Sequence, residues 1–202
     1  MADVAIKNGF NVIGIQRPLP KHRKKQIIFR LKELNIFDKV KFEVLDLTKK
    51  INTDYLFKKY NPTYFAHLAS QSSVLKSMKY KKLTREENEV ISDNLIDSML
   101  SKSMDTKMFF PSSATIFEGY KNKLVDELTS PKPLTTYSKT KHRTQERILE
   151  LISVDKLLAR VGIMFSHESE FRRSNFFSKI ITEFLVDYKF KKRGKLTVGN
   201  IS

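Results

Sequence analysis

The sequence predicts an α/β protein built on a mostly parallel, doubly wound sheet. Short apolar runs rich in β-branched and aromatic residues alternate with longer stretches whose apolar residues recur at helical spacing. The helical stretches are long enough to serve as crossovers, and right-handed crossovers between parallel strands give a doubly wound layer. With 202 residues, 40% hydrophobic and 30% charged, the chain can bury a substantial core.

Element by element, residues 11–15 (Asn-Val-Ile-Gly-Ile) read as a strand. A helix over 24–34 follows, with Ile27, Ile28, Leu31 and Leu34 on one stripe. Residues 40–45 form a second strand and 53–60 a helix closed by Asn61-Pro62. A third strand covers 64–68, and a helix over 86–104 carries Val90, Ile91, Leu95, Met99 and Leu100 on one face. Strand 108–110, helix 135–152, strand 157–165, helix 174–186 and a closing strand at 196–198 complete the pattern. No repeat or low-complexity linker interrupts it before about residue 165.

Ligands of such sheets gather beyond the carboxyl ends of the strands. That singles out Arg17, Asp46-Leu47, 69–73, 111–117 and 166–173.

Composition narrows the function. With no cysteine, disulfides, a thiolate nucleophile and cysteine-ligated zinc are excluded, and no metal site is expected. The first ten residues lack a secretory pattern, and Lys, Arg or Asp interrupts every apolar run short of a bilayer's thickness. A soluble, cytoplasmic protein without a membrane partner is expected. The net charge of +16 admits nucleic acid or an anionic ligand. Lys outnumbers Arg by 28 to 10, and the basic clusters (21–25, 49–50, 58–59, 81–82, 189–195) are scattered. A lysine-rich solvated surface therefore explains most of the charge better than a nucleic-acid face.

One motif carries chemistry. Tyr137 and Lys141, four residues apart, share a helix face, where an ammonium would favour the phenolate and lower the tyrosine pKa. Bringing a phenol from about 10 to about 7 takes roughly 4 kcal/mol. The spacing alone is weak, because Tyr55/Lys59 and Tyr188/Lys192 repeat it. Context separates Tyr137: it follows the loop Thr129-Ser130-Pro131-Lys132-Pro133, which itself follows a strand ending in Pro111-Ser112-Ser113-Ala114-Thr115-Ile116-Phe117.

That run, with Asp126-Glu127, Pro131, Pro133 and Tyr137…Lys141, resembles the extended short-chain dehydrogenase/reductases, the nucleotide-sugar epimerases and dehydratases. The more specific likeness is to the GDP-mannose 4,6-dehydratases. His67-Leu68-Ala69-Ser70-Gln71-Ser72-Ser73-Val74 is similar to that family's cofactor segment. Gly162-Ile163-Met164-Phe165-Ser166-His167-Glu168-Ser169 with Arg172-Arg173, continued by Asn175-Phe176 and Lys179-Ile180, is similar to its His-Glu-Ser-Pro-Arg-Arg signature.

The resemblance implies a Rossmann-like NAD(P)-binding fold and a GDP-mannose-like nucleotide-sugar substrate. Ser113 would hold the sugar 4-hydroxyl, Tyr137 would take its proton, and Lys141 would tune Tyr137 and hold the nicotinamide ribose. Hydride would pass from sugar C4 to NADP or NAD. Arg17 would face the adenosine phosphate, Asp46 and Leu47 would flank the adenine, and Leu68, Ala69, Ser70, Gln71 and Ser72 would line the cofactor. His167 and Arg173 would contact it from the far side. The ordinary readings are an Asp46 turn, a satisfied His67 in its strand, and solvated charge at Arg172 and Arg173. The resemblance also implies homo-oligomers formed through helices 86–104 and 135–152.

Three departures qualify it. No Gly-x-x-Gly-x-x-Gly run occurs; by the resemblance the chain opens inside the helix that follows it, at 1–6, and Gly9 and Gly14 lie after that helix and in the next strand. The chain ends at Ser202, where the resemblance has only begun the smaller sugar-binding domain, so residues 1–165 are expected as a partial cofactor domain and 166–202 as the start of a second. The dehydratases' glutamate is replaced by Thr115 (Ile116 in an ungapped reading), and neither can abstract a carbon-bound proton. The expectations are an excerpt of a longer protein, a sheet lacking its central strand, weak or absent NADP binding by this chain, and residues suited to the redox half of dehydration. The alternative is a non-catalytic subunit of the same fold; a basic nucleic-acid binder ranks below both.

Overall fold

Alternating strand and helix patterns condense into parallel strands with helical crossovers. The computed structural model describes residues 1–120, 123–174, 176–191 and 195–197, and the chain divides into two compact units, Met1–Phe165 and Ser166–Ser202.

In the first unit, α1 (Ala2–Lys7) leads into β1 (Val12–Gln16), and α2 (Lys21–Glu33) carries the chain over to β2 (Val40–Val44). The two strands are parallel, from Val12↔Val40 to Gln16↔Val44. Gly14 lies opposite Phe42, where a Cβ would come within 2.7 Å of the Phe42 ring, so the ring folds across the glycine. Helix α3 (Lys50–Tyr60) ends at Asn61, whose φ of 35° closes the helix before Pro62. Then come β3 (Tyr64–Ala66), α4 (Val74–Lys79), α5 (Lys81–Arg85), a π-helical turn Glu86–Val90 and α6 (Ile91–Lys102). β4 (Lys107–Ser113), α7 (Thr136–Ser153) and β5 (Ala159–Met164) complete the unit. β4 pairs in parallel with β3 on one side and β5 on the other.

Among the described residues the sheet stands in two pieces, β2-β1 and β3-β4-β5, with β1 and β3 unpaired on their second edges. Parallel strands joined by helical crossovers match the α/β layer the sequence leads one to expect. The pieces share one apolar core. Phe57, Leu95, Ile96, Phe110 and Ile148 are buried, and Ile15 and Phe65 pack against the same cluster. Burying a side chain such as Phe57 contributes about 1.5–3 kcal/mol. Phe10, just before β1, meets Tyr64 of β3 edge-on at 5.5 Å.

Several elements differ from expectation. β3 stops at Ala66 because the Leu68 N–H turns back to the Ala66 carbonyl, leaving Leu68 57% exposed. β4 continues past Phe110, where the sequence reading ended it, through Pro111, paired with Gly162, to Ser113. The helix expected over 86–104 is divided by the π-helical turn, and α4 and α5 precede it unforeseen. In the second unit α8 (Phe177–Lys191) begins later than expected. Leu196 and Thr197 carry no strand, and Val198 and Asn175 lie outside the described residues. Among the described residues no helix is long and apolar enough to cross a membrane, and no cluster of side chains could hold a metal ion.

Candidate active site

β4 and the first turn of α7 bring Ser113, Thr115, Tyr137 and Lys141 into one region. Ser113 ends β4, and its Oγ accepts from the Thr115 N–H (3.3 Å) and the Thr115 hydroxyl (3.0 Å). Its own proton is thereby free to face the Tyr137 phenol, whose ionised form it favours. Tyr137 is 9% exposed, and its backbone N–H donates to Ser77 Oγ at 3.3 Å. One turn on, Lys141 is 6% exposed; its ammonium donates to the Pro111 carbonyl at 2.8 Å and lies 4.6 Å from the Phe110 ring centroid.

The electrostatics correct one expectation. Burial pushes the Tyr137 phenol above its ordinary range, and the opposing pull comes from the Ser113 hydrogen bond, not from Lys141. Burial also lowers the Lys141 ammonium to about 8. The lysine is drawn to the Pro111 carbonyl, which lies beyond the last β3 pairing at Ala66↔Phe109, so the shared helix face does not yield a lowered phenol here.

Other residues hold this arrangement, and sequence reasoning undervalued them. Glu118, which the sequence reading does not single out, accepts from Leu134 N (3.2 Å), Thr135 N (3.0 Å), Thr135 Oγ1 (3.1 Å) and Ser138 Oγ (2.8 Å). It fixes the entry to α7, where Thr135 also caps the helix through the Ser138 N–H. Asn88 sits on the π-helical turn, accepts from Gln71 N (2.7 Å) and donates to Thr140 Oγ1 (3.1 Å), tying the loop after β3 to α7. His67 is 2% exposed and is bonded to Ser92 at 2.8 Å. A π turn leaves no periodic mark in a sequence; the clue for Asn88 was an amide on an otherwise charged helix turn.

The remaining expected residues divide. Ala69 and Ser70 lie beside Lys141 around a small cavity, whereas Leu68 and Ser72 are exposed on the same loop. The Gln71 side chain folds onto its own loop, donating to Ser73 O and accepting from Ser73 N. Arg17 forms an ion pair with Glu87. Asp46 accepts from Thr48 N (3.1 Å) and Thr48 Oγ1 (2.6 Å), a strand-end turn whose hydrogen bonds hold its carboxyl below the usual range. The Leu47 side chain is in the core. His167 and Arg173 belong to the second unit, in which Arg172 pairs with Glu168 and stacks on Phe176.

A parallel sheet carrying a strand-end serine and a Tyr-x-x-x-Lys helix is an arrangement that other proteins share. The family described as GDP-mannose 4,6 dehydratase matches residues 1–202, the whole chain. The chain belongs to that family. A GDP-mannose 4,6 dehydratase of Dictyostelium discoideum is 25% identical over 207 residues, covering 100% of this chain and 58% of the relative. The chain thus spans little more than half of that relative's length. Among solved structures, the UDP-glucuronic acid 4-epimerase of Bacillus cereus, in complex with UDP-glucuronic acid and NAD, superimposes with a TM-score of 0.76. It is 19% identical, over 91% of this chain and 58% of that one. RMD of Pseudomonas aeruginosa, complexed with NADPH, superimposes with a TM-score of 0.71 at 16% identity, over 93% of this chain and 64% of that one. Within the GDP-mannose 4,6-dehydratase family fold, the two-piece sheet and its strand-end loops are therefore a Rossmann-like layer.

Proposed function

We propose that this chain belongs to an NAD(P)-dependent nucleotide-sugar dehydratase or epimerase acting on a GDP-mannose-like substrate, and that it carries the groups for oxidation at sugar C4. The observation that supports this most is the convergence of Ser113, at the end of β4, with Tyr137, whose phenol Ser113 pulls down against its burial, and Lys141 buried one helical turn away. Ser113 holds the 4-hydroxyl, and Tyr137 takes its proton as hydride leaves the carbon. Before that, the phenol must come down from the raised value burial gives it, so Lys141 has to turn part of its donor set from Pro111 towards the reacting groups. The nicotinamide, when bound, supplies the hydride acceptor.

The fit to a cofactor is uneven. Ser113, Tyr137, Lys141, Ala69 and Ser70 suit its nicotinamide end. At the adenosine end, Arg17 is paired with Glu87 and Asp46 with Thr48, and no glycine-rich run is in the sequence to receive the pyrophosphate. Weak NADP or NAD binding by this chain follows.

Thr115 cannot perform the proton abstraction that dehydration needs, and the Glu118 carboxylate is committed to the α7 entry. The chemistry proposed is thus redox at C4 without loss of water. A cytoplasmic location, and self-association through α6 and α7, accompany the proposal.

The test is single-turnover formation of reduced nicotinamide by the purified chain with GDP-mannose and excess NADP. Tyr137→Phe should lower the rate about 10²–10⁴-fold, and no dehydrated sugar should form. Equal rates for the variant and the parent would refute the assignment. The Arg17–Glu87 pair favours a second reading, a non-catalytic subunit that pairs with an active relative. It requires no reduced nicotinamide at any cofactor concentration.

A further inference from the structure

Behind Lys141 lies a polar pocket whose protein partners leave hydrogen-bonding capacity unused. The Ser92 hydroxyl donates to the Asn88 carbonyl at 2.5 Å, so in its 2.8 Å contact with His67 it must accept from Nε2–H. Burial, reinforced by the Lys141 charge, lowers the imidazole to about 3 and keeps it neutral. With the proton on Nε2, Nδ1 is a bare acceptor, buried and without a protein partner. Ser70 Oγ is likewise buried and unpartnered.

Both residues line, with Lys141, a cavity about one water molecule in size. Asn88 and Thr140 line it too, but their polar atoms are engaged with Gln71, with one another and with the Tyr137 carbonyl. Phe110 forms a common wall, its ring centroid 4.6 Å from Lys141 Nζ and 5.6 Å from the imidazole centroid. Lys141 Nζ uses one proton on Pro111 O.

From this convergence we infer that the cavity binds one ordered water, which accepts from Lys141 Nζ and donates to His67 Nδ1, with Ser70 Oγ as its third partner. A buried water with three such partners is ordinary. Its effect on Lys141 is geometric. An ammonium has three N–H bonds in a tetrahedral fan; with one fixed on Pro111 O and a second on the water, the direction of the third is set. His67 is then a positioning residue for Lys141, acting through the water. Its functional weight rests on the proposed role of Lys141; the water site does not.

The experiment is two-bond proton–nitrogen NMR of the full chain labelled with ¹⁵N-histidine, which gives four imidazole patterns, recorded without cofactor or substrate. His67 should show the Nε2–H tautomer, stay neutral between about pH 5 and 8, and give a cross-peak from its ring to a long-lived water. Lys141→Met should shift the Nδ1 resonance and leave Nε2 nearly in place, a distinction that a general packing change would not make. An Nδ1–H tautomer or a missing water cross-peak in the parent chain overturns the inference, and each is read without any variant. An Nδ1 resonance indifferent to Lys141→Met also overturns it. Failure of the Tyr137→Phe rate test would remove the enzymatic reading and leave these spectra unaffected, so the two are separable.

Discussion

Glu118 offers the sharpest stability test, because one carboxylate holds the entry to the helix that carries Tyr137 and Lys141. Its oxygens accept from two backbone N–H groups, Leu134 and Thr135, and from two hydroxyls, Thr135 and Ser138. Glu118→Ala removes all these acceptors and uncovers the start of α7. Each hydrogen bond to a charged group contributes about 1.5–3 kcal/mol when fully buried. Glu118 is only half-buried, and water can replace part of the set, so a loss of about 2–3 kcal/mol is expected for the whole cluster. Glu118→Gln is the informative control. Its amide oxygen can take the place of Oε2, which serves Leu134, Thr135 N and Ser138, while its NH₂ donates to the Thr135 hydroxyl. Only the charge at the helix N-terminus is lost, about 0.3–1 kcal/mol. For a chain of this size each kcal/mol lowers Tm by roughly 2–4 °C. Differential scanning calorimetry should therefore separate a drop of about 4–12 °C for the alanine variant from one of about 4 °C or less for glutamine. Equal drops, or an alanine variant as stable as the parent, would refute this account of the helix entry.

Other expectations follow from the same contacts. Lys141 is lowered to about 8, so above that pH the folded chain holds fewer protons than the unfolded one. Stability should rise by about 2–3 kcal/mol between pH 8 and 10, before the raised Tyr137 phenol reverses the trend, and urea unfolding of Lys141→Met should show no such rise. His67, lowered to about 3, contributes stability that is full above the ordinary histidine range and lost as pH falls through it, so His67→Gln should flatten the unfolding free energy between about pH 5 and 6.5. Glu87→Gln should change stability by less than about 1 kcal/mol. By freeing Arg17 it should tighten binding of adenosine 2′,5′-bisphosphate relative to AMP in calorimetry; unchanged discrimination would remove Arg17 from the adenosine end.

The strand and helix alternation was legible because its signals are local. Asn61-Pro62 closes α3, and the stripe through Leu95 and Met99 lies on the buried face of α6. The Tyr137–Lys141 relation was legible only in part. Spacing puts both residues on one face, but the direction of the tyrosine's shift depends on where the ammonium points. That is decided by a carbonyl thirty positions away in the chain, Pro111, in a strand expected to stop at Phe110. Glu118 was illegible for the same reason: its bonds span from 16 to 20 residues and leave no pattern along the chain.

These contacts also divide the proposed cofactor site by what each end depends on. The nicotinamide end is held by bonds that cross between elements: Glu118 to the start of α7, Asn88 to Thr140, Tyr137 N to Ser77. These bonds are made within the protein and need no ligand to form. At the adenosine end the polar groups bond to protein instead, Asp46 within its own turn and Arg17 to Glu87, beside a β1 edge that no described strand covers. A nucleotide must displace the Glu87 contact before it gains the Arg17 charge, which lowers its net affinity without disturbing Ser113 or Tyr137. In the proposed site, binding strength and chemical competence therefore rest on different contacts, and a substitution at Glu87 should move the first while leaving the second intact.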